Sequence, residues 1–126
     1  MPQTTIRAFR SNTGEIPIQD WLDELEDDDP RAYAKCLQRI LALSQLGSEL
    51  RRPLADMLRD GIHELRAKVG RVNFRILYFF CGANLACLSH GFTKEGKVPE
   101  DEIDLAAGRK KQVESNVEKF TAEWVL

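Results

Sequence analysis

The residues best suited to hold an anion lie between Gly61 and Lys94: Arg66, Arg75, His90 and Lys94. A guanidinium presents a planar fork of donors that matches phosphate or carboxylate oxygens. A lysine adds a point charge. An imidazole titrates near neutral pH and can give or take a proton. Together these side chains suit charge stabilisation and proton transfer at a phosphate. An arginine inside the apolar run Val72 to Phe80 is unusual, because a buried guanidinium needs a partner or an open cleft.

Three strand-like runs must position these groups. Ile62–Lys68, Val72–Phe80 and Leu85–Lys94 are separated by Val69-Gly70-Arg71 and Cys81-Gly82-Ala83-Asn84. Loops this short join antiparallel neighbours, so the stretch reads as a three-strand meander. Alternation puts Val72, Phe74, Ile76, Tyr78 and Phe80 on one face and Asn73, Arg75, Leu77 and Phe79 on the other. In the first run Glu64, Arg66 and Lys68 oppose His63, Leu65 and Ala67. In the third, His90 and Lys94 are expected to share a face with Leu88 and Phe92. The plain alternative for Arg66 and Arg75 is a structural pairing with Glu64 and another acid; for Tyr78 and His63 it is packing.

Before the meander, Thr4–Arg10 alternates as a strand. Pro17 opens a helix whose stripe is Ile18, Trp21, Leu22 and Leu25. Asp29-Pro30 caps and starts a second helix, with Tyr33, Leu37, Ile40, Leu41 and Ser44 on one face and Gly47 as its stop. These two helices form an antiparallel hairpin that must lie on the sheet. Arg51–Asp60 is a connector without a firm assignment. After the meander, Pro99 and three acids open a helix carrying Ile103, Ala106, Ala107, Lys110, Val113, Val117, Phe120 and Trp124. Beyond about residue 119 the tail frays or docks, and Trp124-Val125-Leu126 is apolar enough to pack. The order is β-α-α-β-β-β-α, an α+β fold with an antiparallel sheet, in one domain spanning 1–126.

Composition excludes several classes. The 126 residues carry a net charge of −2, which gives no overall nucleic-acid signal. The distribution is uneven: eight acids and no base between Glu15 and Asp29, nine bases against four acids between Arg51 and Lys97. That asymmetry can focus an anionic ligand. Cys36, Cys81 and Cys87 show no paired spacing, as in a reduced, cytoplasmic protein. With His63 and His90 they match no metal-ligand pattern, so neither a metal nor a cofactor is expected. No run approaches the length of a membrane span.

The phrases G-I-H-E-L-R (Gly61–Arg66), F-R-I-L-Y (Phe74–Tyr78) and H-G-F-T-K (His90–Lys94), with Pro99 and Glu102-Ile103 following, resemble the RelE/HigB superfamily of bacterial toxin–antitoxin toxins, in its phage-derived, HigB-like branch. The likeness runs from about Ile6 to Lys111. It implies a metal-independent endoribonuclease that cuts messenger RNA at the ribosome and is restrained by an antitoxin, here expected to be a helix-turn-helix protein. By motif, Arg66 and Arg75 would hold the scissile phosphate, Lys94 would contact phosphate or assist proton transfer, and His90 would be general acid or base. Lys68, Arg71, Tyr78 and Lys97 would bind RNA, Tyr78 by stacking on a base or orienting the phosphate. Glu95 stands where the branch usually has a second lysine. The other reading of the same features is a non-catalytic RNA- or protein-binding module.

Overall fold

The computed structural model describes residues 3–124. Strand β1 (Thr5–Phe9) leads to helices α1 (Pro17–Asp28) and α2 (Pro30–Leu46), then β2 (Ala55–Met57), β3 (Ile62–Val69), β4 (Val72–Phe80) and β5 (Leu85–Thr93). Helix α3 (Glu100–Ser115), the single turn α4 (Val117–Phe120) and β6 (Thr121–Glu123) finish the chain. The six strands form one sheet in the order β2-β3-β4-β5-β1-β6. The α+β class and the meander β3-β4-β5 agree with the sequence reading. The sheet is mostly, not wholly, antiparallel: β1 pairs with β5 in parallel, because the long α1–α2 hairpin returns the chain across one face.

Each face of the sheet buries its own core. Ile6, Ala8, Leu65, Ala67, Phe74, Ile76, Tyr78 and Leu88 pack beneath α1 and α2. Phe9, Ile62, Leu77, Phe79 and Cys87 pack against Ile103, Ala106 and Val113 of α3. The alternation expected in β4 is therefore realised, with both sides buried. Asp29 caps α2 by accepting from Ala32 N at 3.1 Å, and Pro30 follows at the first helical position. The acids at the end of α1 oppose that helix's dipole, but they lie beside the positive start of α2, which offsets the penalty.

Two local expectations change, the α2 stripe and the end of the last helix, and two open ones, the connector and the tail, take a definite form. The buried stripe of α2 is Ala32, Cys36, Ile40, Leu43 and Ser44, while Leu41 is exposed; the small residues in that stripe let the helix approach the sheet. The connector contains β2, which pairs with β3 from Ala55↔Leu65 to Met57↔His63. The last helix stops at Asn116, whose side chain caps α4 through Lys119 N. The tail then docks as β6 against β1, fixed by Arg7 Nε to Thr121 Oγ1 at 2.7 Å and Arg10 Nη2 to the Glu118 carbonyl at 2.8 Å. Trp124 packs against the hairpin core; Val125 and Leu126 lie outside the described residues.

Because β2 is so short, the outer edge of β3 runs past it. Arg39 Nε donates to the Arg66 carbonyl at 2.8 Å and Lys35 Nζ to the Lys68 carbonyl at 2.7 Å. Helix α2 thus satisfies acceptors that an exposed edge would leave open.

Two glycines test this packing. The Trp21 ring lies flat on Gly91, where a Cβ would collide with it. Gly108 sits within α3 with open space around it. Urea denaturation should show Gly91→Ala destabilised by about 1–3 kcal/mol and Gly108→Ala stabilised by up to about 1 kcal/mol. Equal effects of the two would refute the assigned contacts.

Candidate active site

Register sets the site. Arg66 of β3 and Arg75 of β4 are direct cross-strand partners. Like charges so placed repel. Glu64, on the same face and fully buried, lies between them. Its Oε1 accepts from Arg66 Nε at 2.7 Å and its Oε2 from Arg75 Nη1 at 2.7 Å. Asp56 of β2 accepts from Arg66 Nη2 at 3.2 Å and from Arg52 Nη2 at 2.8 Å. Those bonds, the one from Arg52 foremost, hold the Asp56 carboxyl below its ordinary pKa. Three guanidiniums thus share two carboxylates.

The two central arginines differ in freedom. Arg75 is buried, and its remaining reach goes to main chain: Nε to the Lys94 carbonyl at 3.1 Å and Nη2 to the Gly96 carbonyl at 2.6 Å. It pins the loop that leads from β5 to α3. Arg66 keeps 38% of its side chain exposed, and its Nη1 has no bond among the described residues. Arg66 is therefore the guanidinium that an incoming anion can reach. Lys94, tethered at its carbonyl, is exposed, as are Lys68, Arg71 and Lys97. Lys97 lies 3.9 Å from Glu100 and is almost fully in solvent. Glu95 is exposed beside Lys94.

A register shift corrects one expectation. Leu77 pairs with His90 but Tyr78 pairs with Leu88, so Ser89 is an extra residue. Such a bulge flips the alternation. Leu88 accordingly lies under α1 and α2, whereas His90 and Phe92 lie on the α3 side with Arg75 and Leu77, their rings stacked 5.7 Å apart.

His90 is enclosed. Its Nδ1 is 2.8 Å from Ser89 Oγ and its Nε2 3.3 Å from Glu102 Oε1. Arg109 Nη1 lies 3.3 Å from both the hydroxyl and the carbonyl of Ser89, and its guanidinium covers the Phe9 ring. Burial first, then the Arg109 charge, pushes the His90 pKa down to about 4. The ring is neutral at pH 7. A consistent proton order has Arg109 donating to Ser89 Oγ, the hydroxyl donating to Nδ1, and Nε2–H donating to Glu102. This chain clamps α3 to the sheet. Arg59 makes a second clamp from the turn before β3, through Nη2 to Asp104 at 2.6 Å and Nε to Glu100 at 3.0 Å.

Tyr78 is on the other face, buried and stacked on His63 at 5.2 Å, away from Arg66 and Arg75. Sequence reasoning missed Asp56, because its strand was unassigned, and missed Arg109 and Ser89. The spacing 102, 106, 109, 113 on α3 held the signal for Arg109: it lies on the stripe formed by Ala106 and Val113. Among the described residues no group of three or more His, Cys, Asp and Glu side chains gathers as a metal would require, and no helix is long and apolar enough to cross a membrane.

The chain is an α+β protein whose sheet carries a carboxylate-bridged arginine pair on the face shared with its C-terminal helix. Residues 20–111 match the family of phage-derived Gp49-like proteins, and the chain belongs to that family, which is associated with the toxins of toxin–antitoxin pairs. A search of curated proteins found no match.

Two measurements follow. Glu64→Gln leaves two facing guanidiniums without their bridge and should cost about 3–5 kcal/mol in urea denaturation. Arg66→Ala, at a half-exposed site where Glu64 keeps Arg75, should cost about 1 kcal/mol or less. The reverse order would refute the bridge. The His90 pKa is lowered from 6.5 to about 4, so the unfolded chain binds the extra proton first. Stability is full above pH 6.5 and falls toward pH 4, by on the order of 3 kcal/mol. His90→Gln should lack that share of the slope; identical pH profiles would show that His90 is not buried neutral.

Proposed function

We propose that this chain is the toxin of a type II toxin–antitoxin pair, an endoribonuclease that cleaves messenger RNA at the ribosome. The observation that carries the reading is the open Arg66 guanidinium on the Glu64-bridged pair; Lys68, Arg71, Lys94 and Lys97 are exposed on β3, the β3–β4 turn and the β5–α3 loop. The family's toxin–antitoxin association supports the same reading.

In this reaction the ribose 2′-hydroxyl releases its proton to water as its oxygen attacks the adjacent phosphorus. The bond to the 5′-oxygen breaks, leaving a 2′,3′-cyclic phosphate and a 5′-hydroxyl. Negative charge grows on the non-bridging oxygens, where a preorganised guanidinium is most effective. Arg66 meets those oxygens. Arg75 acts from behind: it shares Glu64, so the bridge is fixed before substrate arrives, and it holds the Lys94 segment in place. Lys94 contacts the phosphate or protonates the departing 5′-oxygen. His90, sealed by Ser89 and Glu102, is a positioning residue for α3. No metal takes part. The partner is a helix-turn-helix antitoxin that covers the basic surface, and the setting is the cytoplasm.

A second reading, a non-catalytic RNA- or protein-binding module, draws on one feature: Glu64 and Asp56 already occupy much of the arginines' donor capacity. Induced expression in a bacterial host separates the two. Wild type should arrest growth and leave messenger fragments ending in 2′,3′-cyclic phosphate. Arg66→Ala and Lys94→Ala should each lower cleavage by roughly 10²–10³-fold without loss of fold. Arrest by Arg66→Ala equal to wild type would remove Arg66 from the chemistry; binding of RNA without cleavage by the wild type would favour the module.

A further inference from the structure

On the face of the sheet opposite Glu64 lies a cavity of about 420 Å³ that the nuclease reading does not use. One wall is aromatic. His63 and Tyr78 are cross-strand partners on β3 and β4, their rings nearly parallel at 22°. Phe80 meets both edge-on, 5.3 Å from His63 and 5.7 Å from Tyr78. Gly47, Ser48, Leu50, Ala55, Asp56 and Met57 complete the lining, together with the exposed Arg51 and Arg52. Arg51 is exposed and has no ion pair among the described residues; Arg52 is bound to Asp56.

Each part points to the same ligand chemistry. Aromatic faces and edges at a cavity wall suit a planar ring. Neither His63 nor Tyr78 makes a side-chain hydrogen bond among the described residues, although Tyr78 is 1% exposed and both line the cavity. A neutral imidazole and a phenol offer donors and acceptors to the edge of a heterocycle. Exposed guanidiniums in the lining suit a phosphate attached to that ring. The volume falls within the range of sites for small ligands. Met57, 68% exposed, is a flexible apolar side chain able to close over a bound ring.

We propose that this cavity is a nucleotide-binding site, with the base against His63, Tyr78 and Phe80 and the phosphate on Arg51 and Arg52. Its aromatic wall lies across the sheet from Arg66, and Asp56, bonded to both Arg52 and Arg66, stands between the two sites; the assignment does not depend on cleavage at Arg66. The site takes a nucleoside monophosphate, free or as a unit of a strand.

The chain has two histidines, so their imidazole proton resonances report the two faces separately. The purified full chain is titrated with AMP, GMP, CMP and UMP, with the matching nucleosides, and with inorganic phosphate. At least one monophosphate should shift the His63 signals saturably at millimolar concentration or below while the His90 signals stay in place. The nucleoside should bind more weakly, and phosphate alone should leave the His63 ring unmoved. Arg51→Glu, at an exposed position that the fold does not need, should weaken the monophosphate by about tenfold or more. Phe80→Leu should weaken nucleoside and nucleotide alike. Lys94→Ala, outside the cavity lining, should leave the titration unchanged, which separates this site from the ribonuclease reading. No His63 response to any of the four monophosphates, or a response that Arg51→Glu does not reduce, would overturn the assignment.

Discussion

The structure depends on one carboxylate. Glu64 is buried between two guanidiniums that the strand register forces to face each other. Without an acid there, β3 and β4 could not pair in this register, since two like charges would meet directly across the ladder. With it, the pair becomes a three-centre bridge that consumes one oxygen on each side. A buried ion pair adds little net stability over an apolar pair, because desolvation opposes the Coulomb gain. Its effect is on placement. Arg75 cannot leave Glu64, and through its bonds to the Lys94 and Gly96 carbonyls it carries that fixity into the loop before α3.

The bulge at Ser89 extends the same constraint to the helix. Regular alternation would turn His90 toward the α1–α2 hairpin, into an apolar core with no partner for its ring nitrogens. The extra residue instead turns His90 toward α3, where Ser89 and Glu102 satisfy both nitrogens. Leu88 takes the apolar side. One inserted residue thereby keeps each side chain in the environment its chemistry requires. Arg109 then closes the network from the helix. The face carrying the candidate site is accordingly held by polar contacts at defined points in addition to its apolar core, while the opposite face is held by the larger apolar core.

The legible part of the fold was what local pattern determines. The meander, the helix starts at Pro17, Pro30 and Pro99, and the sorting of β4 side chains onto two faces follow from period, punctuation and caps. The clustering of Arg66 and Arg75 was visible once the strands were aligned, and Glu64 was visible as a structural partner. What escaped depended on long-range pairing. Strand β2 has three residues and no alternation of its own to read. Strand β6 exists because β1 offers an edge more than a hundred residues away. The parallel pairing of β1 with β5, the Ser89 bulge and the approach of Arg109 are likewise settled by tertiary contact. The rotation of α2 toward Ala32 and Cys36 shows the same limit: bulk marks an apolar face, but close approach to the sheet selects small residues.

The net charge of −2 is a poor guide to what an approaching phosphate meets. The acids of α1 lie on the hairpin side of the sheet, packed over β5 and β1, whereas the guanidiniums lie on the other side over β3 and β4. Facing layers sit about 10 Å apart, and at physiological salt exposed charges are screened over about 8 Å. An anion at Arg66 therefore responds to the charges on its own face, with the α1 acids largely out of range. The acidic helix α1 brings the whole chain near neutrality from the other side of the sheet. It also offers a separate, acidic surface on the far side of the molecule.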